Sequence, residues 1–423
     1  MTQHDPREHI RGLYQLLVSD KKRIGFLFGA GSSLGTGAAN IRIPAVKEMT
    51  TLIEKELSKK VEYATAIAEI TKEIGVVGYN IESLLSSIET KRQVIGKGVL
   101  NGLNAQGLED LSKALRSQIV KLASVHETWK DEDKGQLGHL KLGGWVRKAQ
   151  RRYPVEIFTT NYDYLFEVGL EAHGVQYYDG FAGTFEPFFN SEAVEDPGVL
   201  PNMTKLWKIH GSLGWKHREH DGAVIRDRSA DAETMLIYPS NLKYRASKKQ
   251  PYVSLIDRLC AFLQQDDSIL ITCGYSFGDD HINERMLTSL NRGANSQVLS
   301  FYYDEYVDGK GATKYLVEDP STAIVKLALS APGGKLSVFG FRHAVVGGKH
   351  GTWRLSAAPS PDEKVEIEKY FEVDPAIVSS TEEDIAGNVS TTAPPTPTGH
   401  GRLLLPYFTN MVAFLDDMTL PGL

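Results

Sequence analysis

The spacing of apolar residues along the chain predicts helices that alternate with short buried strands. Asp5 precedes Pro6, which is a capping residue followed by a proline suited to the first position of a helix, and apolar residues then repeat at helical spacing. An apolar run over Ile24–Phe28 leads into a glycine-rich turn, as a buried parallel strand does. The pattern therefore predicts an amino-terminal helix within residues 1–21 and a first core strand after it.

A helical pattern occupies residues 47–150, where Leu108, Leu111 and Leu115 recur on one face. Strand-like apolar runs return after this stretch at Val155–Thr159, Leu206–Ile209, Met235–Tyr238, Ser268–Cys273 and Val298–Tyr302. Turn-rich or helix-starting sequence follows several of these runs, as it does when helices connect parallel strands. We expect an α/β fold in which helices connect parallel strands, with a large helical insertion over residues 47–150.

The carboxyl-terminal part of the chain is less periodic. We expect a less regular, β-rich region over residues 301–378, followed by a linker over residues 379–401. The linker segment is rich in Ser, Thr, Pro and Gly, so it buries too little apolar surface to offset its ordering entropy. Residues 402–423 are too apolar for a free tail, and we expect them to dock on a neighbouring molecule or on the main body.

Composition and charge narrow the class of protein. Apolar residues make up 41% of the chain and charged residues 24%, as in a globular protein, and the net charge of −6 provides no general attraction to nucleic acid or anionic lipid. We expect nucleic acid to take part only indirectly, if at all. The apolar runs are far shorter than the roughly 20 residues that cross a bilayer, so we expect a cytoplasmic protein without a membrane partner. Its two cysteines, Cys260 and Cys273, exclude a four-cysteine zinc site, and we expect no metal.

The first candidate site is the glycine-rich loop that follows the first predicted strand. It contains Gly29, Ala30, Gly31 and Ser32. Glycines allow a ligand to approach the backbone closely, and free N–H groups at a helix start can bind phosphate oxygens. The loop lacks the Gly-Lys-Ser/Thr ending of a nucleoside-triphosphate P-loop. The alternative is a turn whose glycines serve only tight packing between strand and helix.

Polar residues follow two further predicted strands. Thr160, Asn161 and Asp163 follow one, and His210 follows the other. Ligands bind at the carboxyl ends of strands in open α/β sheets, where an Asn amide can hold a ribose hydroxyl or a water and a His can act as a general base. The alternative for Asn161 and Asp163 is that they cap the next helix.

The fourth candidate is the turn after the predicted strand Ser268–Cys273. Its Gly-x-Ser-x-Gly pattern, with Ser276 at the centre, matches the nucleophile elbow of serine hydrolases. Asp304 and His343 would then complete a catalytic triad. The same pattern occurs at Gly31–Gly35, which shows how readily it arises in glycine-rich turns.

Taken in chain order, the four segments resemble the sirtuin superfamily over residues 22–300, and this resemblance implies that the core is a Rossmann-like parallel sheet with the helical insertion. They comprise a Gly-Ala-Gly-Ser loop, a Thr-Asn-x-Asp strand end, an Ile-His-Gly segment and a Gly-x-Ser strand end. The longer segments over residues 158–164, 208–212 and 274–280 are similar to the sirtuin-like domains of bacterial antiphage defence proteins that hydrolyse NAD. The resemblance implies an NAD hydrolase that releases nicotinamide and ADP-ribose as the NAD-depleting effector of a defence system. It also implies a homo-oligomer and a possible partner ATPase of the HerA type.

The resemblance further implies roles for individual residues, with NAD as the substrate. Asn161 would position ribose hydroxyls or water, Asp163 would contact the nicotinamide amide, and His210 would be the base. The residues that would bind other parts of NAD are Gly29, Ala30, Gly31 and Ser32 at the diphosphate, Ser276 beside the adenosine, Asp280 as a possible ribose contact, and Thr160 and Gly274 in the surrounding loops.

Two departures from lysine-deacylating sirtuins favour hydrolysis over deacylation. The chain cannot form their four-cysteine zinc module, and Ala45 and Val46 follow Ile43-Pro44 where those enzymes have Asp-Phe-Arg. Water is then the favoured acceptor. Two alternatives remain open at this stage: a non-catalytic NAD or ADP-ribose sensor that controls assembly, and the serine hydrolase based on Ser276.

Overall fold

The computed structural model describes residues 2–75, 78–149, 151–196, 198–218, 220–227, 250–293, 295–357, 365–375 and 399–418. The strands are β1 (Thr2–His4), β2 (Arg23–Phe28), β3 (Glu156–Thr159), β4 (Tyr177–Tyr178), β5 (Phe181–Ala182), β6 (Phe188–Phe189), β7 (Thr204–Lys208), β8 (Trp215–His217), β9 (Val224–Arg226), β10 (Ser268–Cys273), β11 (Gln297–Phe301), β12 (Glu305–Val307), β13 (Thr313–Tyr315), β14 (Leu336–Phe339), β15 (His343–Val346), β16 (Lys349–Trp353), β17 (Phe371–Val373) and β18 (Gly401–Leu403). The helices are α1 (Pro6–Val18), α2 (Ala30–Leu34), α3 (Val46–Leu57), α4 (Val61–Ile74), α5 (Ile81–Val94), α6 (Ala105–Ala123), α7 (Asp131–Lys134), α8 (Gly138–Lys148), α9 (Leu165–Ala172), α10 (Ser191–Glu195), α11 (Tyr252–Gln264), α12 (Asp280–Arg292), α13 (Ala323–Ser330) and α14 (Phe408–Asp417). The predicted strand at Met235–Tyr238 lies outside the described residues.

A ten-stranded sheet forms the centre of the protein, with the strand order β1-β16-β15-β14-β11-β10-β2-β3-β7-β4. Every pairing from β14 through to β4 is parallel, whereas β15 pairs antiparallel with both of its neighbours. Among the six central strands, β2 comes first in the chain; β3 and β7 then lie on one side of it, and β10, β11 and β14 lie on the other. This is the order of the doubly wound Rossmann fold, and it confirms the predicted α/β class.

Buried side chains on both faces of the central strands explain why the sheet is covered by helices. On one face, Phe26 and Phe28 of β2 pack with Trp145 of α8, and helices α1, α9 and α14 contribute to the same cluster. On the other face, Leu27 of β2 packs in a second cluster with residues of α11, α12 and α13. A Cβ at Gly25 would lie 2.7 Å from the ring of Phe262 on α11, so the close approach of this helix requires glycine.

Helices α3, α4, α5 and α6 form a body with its own core. The stripe that includes Leu108, Leu111 and Leu115 of α6 is buried against α3, α4 and α5, as the helical spacing predicts. At its carboxyl end, α6 also contacts the central fold, where Val120 packs with Leu213 beyond the end of β7. The insertion therefore lies next to the carboxyl ends of the central strands.

The carboxyl-terminal part of the chain contains strands β12–β18 and the helices α13 and α14. Gly401, the last residue of the predicted linker, begins β18, which pairs antiparallel with β17, while residues 379–398 of that linker lie outside the described residues. Helix α14 packs against α8, with Met411 and Val412 in the core of the main body. None of the helices in the described ranges has the length and apolar character needed to span a lipid bilayer.

His139 on α8 gives the folded state a predictable pH dependence. Its ring centroid lies 4.7 Å from that of Phe166 on α9 and 4.8 Å from that of Phe408 on α14, and neither ring nitrogen has a hydrogen-bond partner among the described residues. Burial lowers the pKa of His139 from 6.5 to about 4. As the pH falls between these values, the unfolded chain takes up a proton and the folded protein does not, which destabilises the folded state by about 3 kcal/mol.

We therefore expect the free energy of unfolding to fall more steeply with acid in the parent protein than in a His139→Phe variant. The measurement is urea unfolding of both proteins at several pH values between about 6.5 and 4.5. The comparison of slopes removes the contributions of carboxylates, which titrate in both proteins. Equal slopes would contradict a buried neutral imidazole at this position.

Candidate functional site

The carboxyl ends of four adjacent parallel strands are level with one another. Phe28 of β2 pairs in register with Cys273 of β10 on one side and with Thr159 of β3 on the other, and Thr159 pairs with Lys208 of β7. The segments that follow these residues therefore meet at one edge of the sheet. The strand order reverses between β2 and β10, and open α/β sheets bind ligands in the crevice outside such a reversal.

The loops after β2 and β10 are in steric contact through glycine backbone. A Cβ at Gly31 would lie 2.6 Å from the Cα of Gly274, and a Cβ at Gly29 would lie 2.6 Å from the Gly274 oxygen. The Gly31 N–H also donates to the Gly274 oxygen at 2.9 Å, and Gly274 itself has φ +66°. The structure thus supplies the packing reason for the glycines that the sequence left open as an alternative.

A Gly31→Ala substitution is expected to destabilise the protein by about 1–3 kcal/mol, because the added methyl overpacks a contact between two backbone segments. Gly12→Ala is the matched control, since nothing lies within 4 Å of a Cβ at this position in α1. That control is expected to be neutral or stabilising by up to about 1 kcal/mol. Urea unfolding measures both, and an equal effect of the two substitutions would rule out the proposed contact.

Asn161 joins the end of β3 to the glycine loop. Its side chain is buried, and its Nδ2 donates to the Gly29 oxygen at 3.0 Å, to Ser32 Oγ at 3.0 Å and to Ser33 Oγ at 2.7 Å. The carbonyl partner requires the amide nitrogen on this side, which defines the orientation of the amide. The Asn161 Oδ1 is then the polar atom of this side chain that these hydrogen bonds leave for a ligand.

Asp163 is held by the protein on both carboxylate oxygens. Its Oδ2 accepts a hydrogen bond from Ser33 Oγ at 2.7 Å, and its Oδ1 accepts from the Leu165 N–H at 3.0 Å at the start of α9. Asp163 therefore binds the first N–H of α9 from the position before Tyr164, which is the N-cap residue of this helix. A contact between Asp163 and the nicotinamide amide stays a prediction.

A buried ion pair lies behind this group. Lys208, the last residue of β7, donates to Glu167 Oε1 on α9 at 2.7 Å and also to the backbone oxygen of Asp163. The Lys208 side chain is only 2% exposed. Burial raises the pKa of Glu167, and the charge of Lys208 opposes that shift. The pair fixes the chain that carries Asp163.

His210 lies in a tight turn directly after β7. The turn is closed by a hydrogen bond of 3.0 Å from the Gly211 N–H to the Lys208 oxygen, and Gly211 adopts φ +89°. The Ile209 N–H donates to the Thr159 oxygen at 2.8 Å, so the backbone next to His210 remains attached to β3. His210 is 5% exposed, and its ring lies nearly parallel to that of His281, with the centroids 6.0 Å apart.

The remaining predicted residues lie around the same edge. The Thr160 N–H donates to the Phe28 oxygen at 3.1 Å, Ala30 begins α2, and Asp280 is exposed at the start of α12. The N–H groups of Gly31 and Ser32 already donate to protein oxygens, so these two amides do not support the expected diphosphate contact. Residue contacts to NAD in these loops stay predictions.

Ser276, Asp304 and His343 are not arranged as a catalytic triad, so the contacts of these described residues do not support the serine hydrolase hypothesis. Ser276 is exposed, and its Oγ accepts a hydrogen bond of 3.3 Å from the Gly278 N–H. Asp304 instead accepts hydrogen bonds from the backbone N–H groups of Val317 and Phe341. Within the described residues, no hydrogen bond joins Ser276 to His343 or His343 to Asp304.

Sequence reasoning missed three residues that shape the site, namely Ser33, Lys208 and His281. Ser33 and Lys208 stand inside the quoted motifs, and a lysine in an apolar strand run is a signal for a buried ion pair. His281 follows Asp280 on a polar helix start, and no pattern in the sequence connects it with His210. In the described ranges, no group of three or more His, Cys, Asp or Glu side chains is arranged to hold a metal.

These features define the class of the protein as a doubly wound α/β fold with a candidate ligand site at the reversal of its strand order. Residues 155–319 match the family model of the SIR2-like domain. Over this segment the chain is similar to the SIR2-like domain, which agrees with the predicted resemblance to sirtuins. The matched range includes Asn161, His210 and Ser276, and the glycine loop precedes it.

Two further comparisons add little to this assignment. No curated protein matches the chain at a significant level. One solved structure, described as "Structural Basis for the Mechanism and Regulation of Sir2 Enzymes", is similar over 69% of this chain and 84% of its own, with 10% sequence identity and a TM-score of 0.30. A TM-score this low does not support an assignment of fold or function. The fold is assigned from the strand order of the central sheet.

Proposed function

We propose that this protein hydrolyses NAD at the bond between ribose and nicotinamide. The observation that carries the proposal is the placement of Asn161 and His210, two buried polar side chains that follow the paired ends of β3 and β7 beside the reversal of strand order. A nucleotide bound in the crevice between β2 and β10 would lie next to both strand ends. The SIR2-like domain supports NAD as the nucleotide.

The proposed reaction needs few groups from the protein. The nicotinamide of NAD is a cationic leaving group, so breaking its N-glycosidic bond requires no general acid. Water held by Asn161 Oδ1 attacks the anomeric carbon, and His210 takes up the proton of that water. The electron pair of the broken bond leaves with nicotinamide, and the other product is ADP-ribose.

The surroundings suit such a reaction, because the positioning groups are fixed before substrate arrives. Asn161 has its amide nitrogen bound in the glycine loop, and the turn at Gly211 fixes the backbone of His210. The helical insertion packs beside this edge, where the His126 ring centroid lies 4.8 Å from that of Tyr164 after β3.

The test is to incubate the purified full chain with NAD and to separate the products by chromatography. We expect nicotinamide and ADP-ribose in equal amounts, and no such release from an Asn161→Ala variant. Binding with recovery of unaltered NAD would favour the sensor alternative instead. Labelling by a fluorophosphonate probe that disappears in Ser276→Ala, with no NAD cleavage, would favour the serine hydrolase.

The defence role is a proposal that rests on the resemblance of the motifs. We propose that the chain depletes cellular NAD as the effector of an antiphage system, and that its activity is controlled in a homo-oligomer with a HerA-type ATPase as a possible partner. Cellular NAD after phage infection is expected to fall in cells that express the parent chain and to persist in cells that express Asn161→Ala. Equal NAD levels in both strains would contradict the defence role.

A further inference from the structure

A second cavity, of about 530 Å³, lies at the opposite edge of the central sheet. Its wall includes residues at the amino ends of three parallel strands, namely Arg23 of β2, Glu156 of β3 and Lys205 of β7. The candidate site for NAD follows the carboxyl ends of these same strands. The cavity is therefore a separate place in the molecule, and a ligand bound in it is independent of the proposed hydrolase activity.

The wall of this cavity has an excess of positive charge. Four basic side chains line it, those of Arg23, Arg152, Lys205 and Arg258, and Glu156 is the acidic residue among the described lining residues. Glu156 is already engaged, because its Oε1 accepts from Arg258 Nη2 at 2.5 Å and its Oε2 accepts from Arg258 Nε at 2.9 Å. Among the described residues, no carboxylate forms an ion pair with Arg23, Arg152 or Lys205.

Two of these cations are buried, which is costly for Lys205 because it forms no ion pair with a carboxylate of the described residues. Arg258 and Lys205 are each 4% exposed. The Arg258 Nη1 is shielded from solvent and has no hydrogen-bond partner among the described residues. The hydrogen bonds that Lys205 Nζ donates within the described residues go to the carbonyl oxygens of Leu200 and Met203, and burial lowers the pKa of Lys205 to about 8. An anion in the cavity would relieve both groups.

The basic side chains in this wall are of the type that binds phosphate oxygens. The Arg23 guanidinium lies over the ring of Tyr153, 3.8 Å from its centroid, which holds its planar fork in place. Guanidinium groups bind phosphate through paired N–H donors, and a pocket of about 300–1,000 Å³ suits a small molecule. We propose that this cavity binds a small molecule that carries two or more phosphate groups, whose negative charge offsets the three cations without a carboxylate partner.

The test uses isothermal titration calorimetry of the full chain with inorganic pyrophosphate. The parent protein is expected to bind pyrophosphate. Arg152→Glu and Lys205→Met are each expected to weaken this binding by about tenfold or more, which is the change in affinity that the loss of one charge-assisted hydrogen bond causes. Arg152 is exposed, so its variant is expected to fold, and thermal melting checks the Lys205 variant. Arg147→Glu is the matched control, because Arg147 is an exposed residue of α8 that does not line the cavity.

Three results would overturn the proposal. One is the absence of binding by the parent at millimolar pyrophosphate. Another is unchanged binding in both cavity variants, which would locate the phosphates elsewhere, for example at the glycine loop. The third is equal weakening by Arg147→Glu, which would show a general effect of charge. NAD cleavage is expected to survive Arg152→Glu, so a failure of this proposal is distinguishable from a failure of the proposed hydrolase.

Discussion

Replacement of His210 by alanine is expected to lower kcat for NAD cleavage by about 10²–10⁴-fold, the usual contribution of a general base. The expectation follows from its position after β7, buried beside the end of β3 and next to the ring of His281. If His210 only accepts the proton of the attacking water, its loss affects the transition state and leaves substrate binding largely intact. Steady-state kinetics should therefore show a fall in kcat with little change in KM.

Two measurements distinguish this role from a structural one. His217→Ala is the matched control, since His217 is exposed on β8 and its Nδ1 contacts the Gly222 oxygen at 3.1 Å. The control should keep parental activity. Free imidazole should restore part of the activity of His210→Ala, because a small base can occupy the space that the side chain leaves. Parental kcat in His210→Ala would remove this residue from the mechanism.

The second large effect is expected at the buried ion pair. Lys208→Met removes the cation that faces Glu167 and should destabilise the folded protein by about 3–5 kcal/mol, because a buried carboxylate loses its partner. Lys216→Met is the control, because the Lys216 pair with Asp227, at 3.4 Å, is partly exposed. Exposed pairs contribute about 0–1 kcal/mol. Urea unfolding at neutral pH gives both values.

Two further results would identify charge burial as the cause. The double variant Lys208→Met/Glu167→Leu should recover most of the lost stability, since an apolar replacement for both partners is often neutral. Without Lys208, the pKa of Glu167 rises further above its unfolded value, so stability is retained at acid pH and lost as the pH rises through the folded pKa. The defect of Lys208→Met should therefore be smaller at about pH 5 than at about pH 8. A defect that does not depend on pH would point to lost packing instead.

Local patterns in the sequence predict the central parallel strands well. The apolar runs at Ile24–Phe28 and Ser268–Cys273 correspond to β2 and β10. The strand predicted at Leu206–Ile209 differs from the observed β7, which begins at Thr204 and ends at Lys208. The polar start of β7 is buried through the hydrogen bonds of Lys205 to backbone oxygens, a contact that hydrophobicity does not reveal.

Features that depend on long-range pairing could not be predicted. Strand β1 joins the sheet through β16, which lies near the other end of the chain, and no apolar run marks Thr2–His4. Likewise, the motifs predict which side chains follow the strands, but not that Asn161 and Asp163 share Ser33 as a partner. Such contacts arise only when the strand order brings separate segments together.

The contact between Gly31 and Gly274 limits how this protein can change through mutation. In most crowded cores, a larger residue at one position can be accommodated by a smaller one opposite. Here the atoms that face each other belong to main chain, and neither residue has side-chain atoms left to remove. A second substitution at Gly274 cannot compensate for Gly31→Ala, because Gly274 has no side chain that could be made smaller. We therefore expect suppressor screens against Gly31→Ala to recover reversion to glycine or substitutions that shift a whole loop.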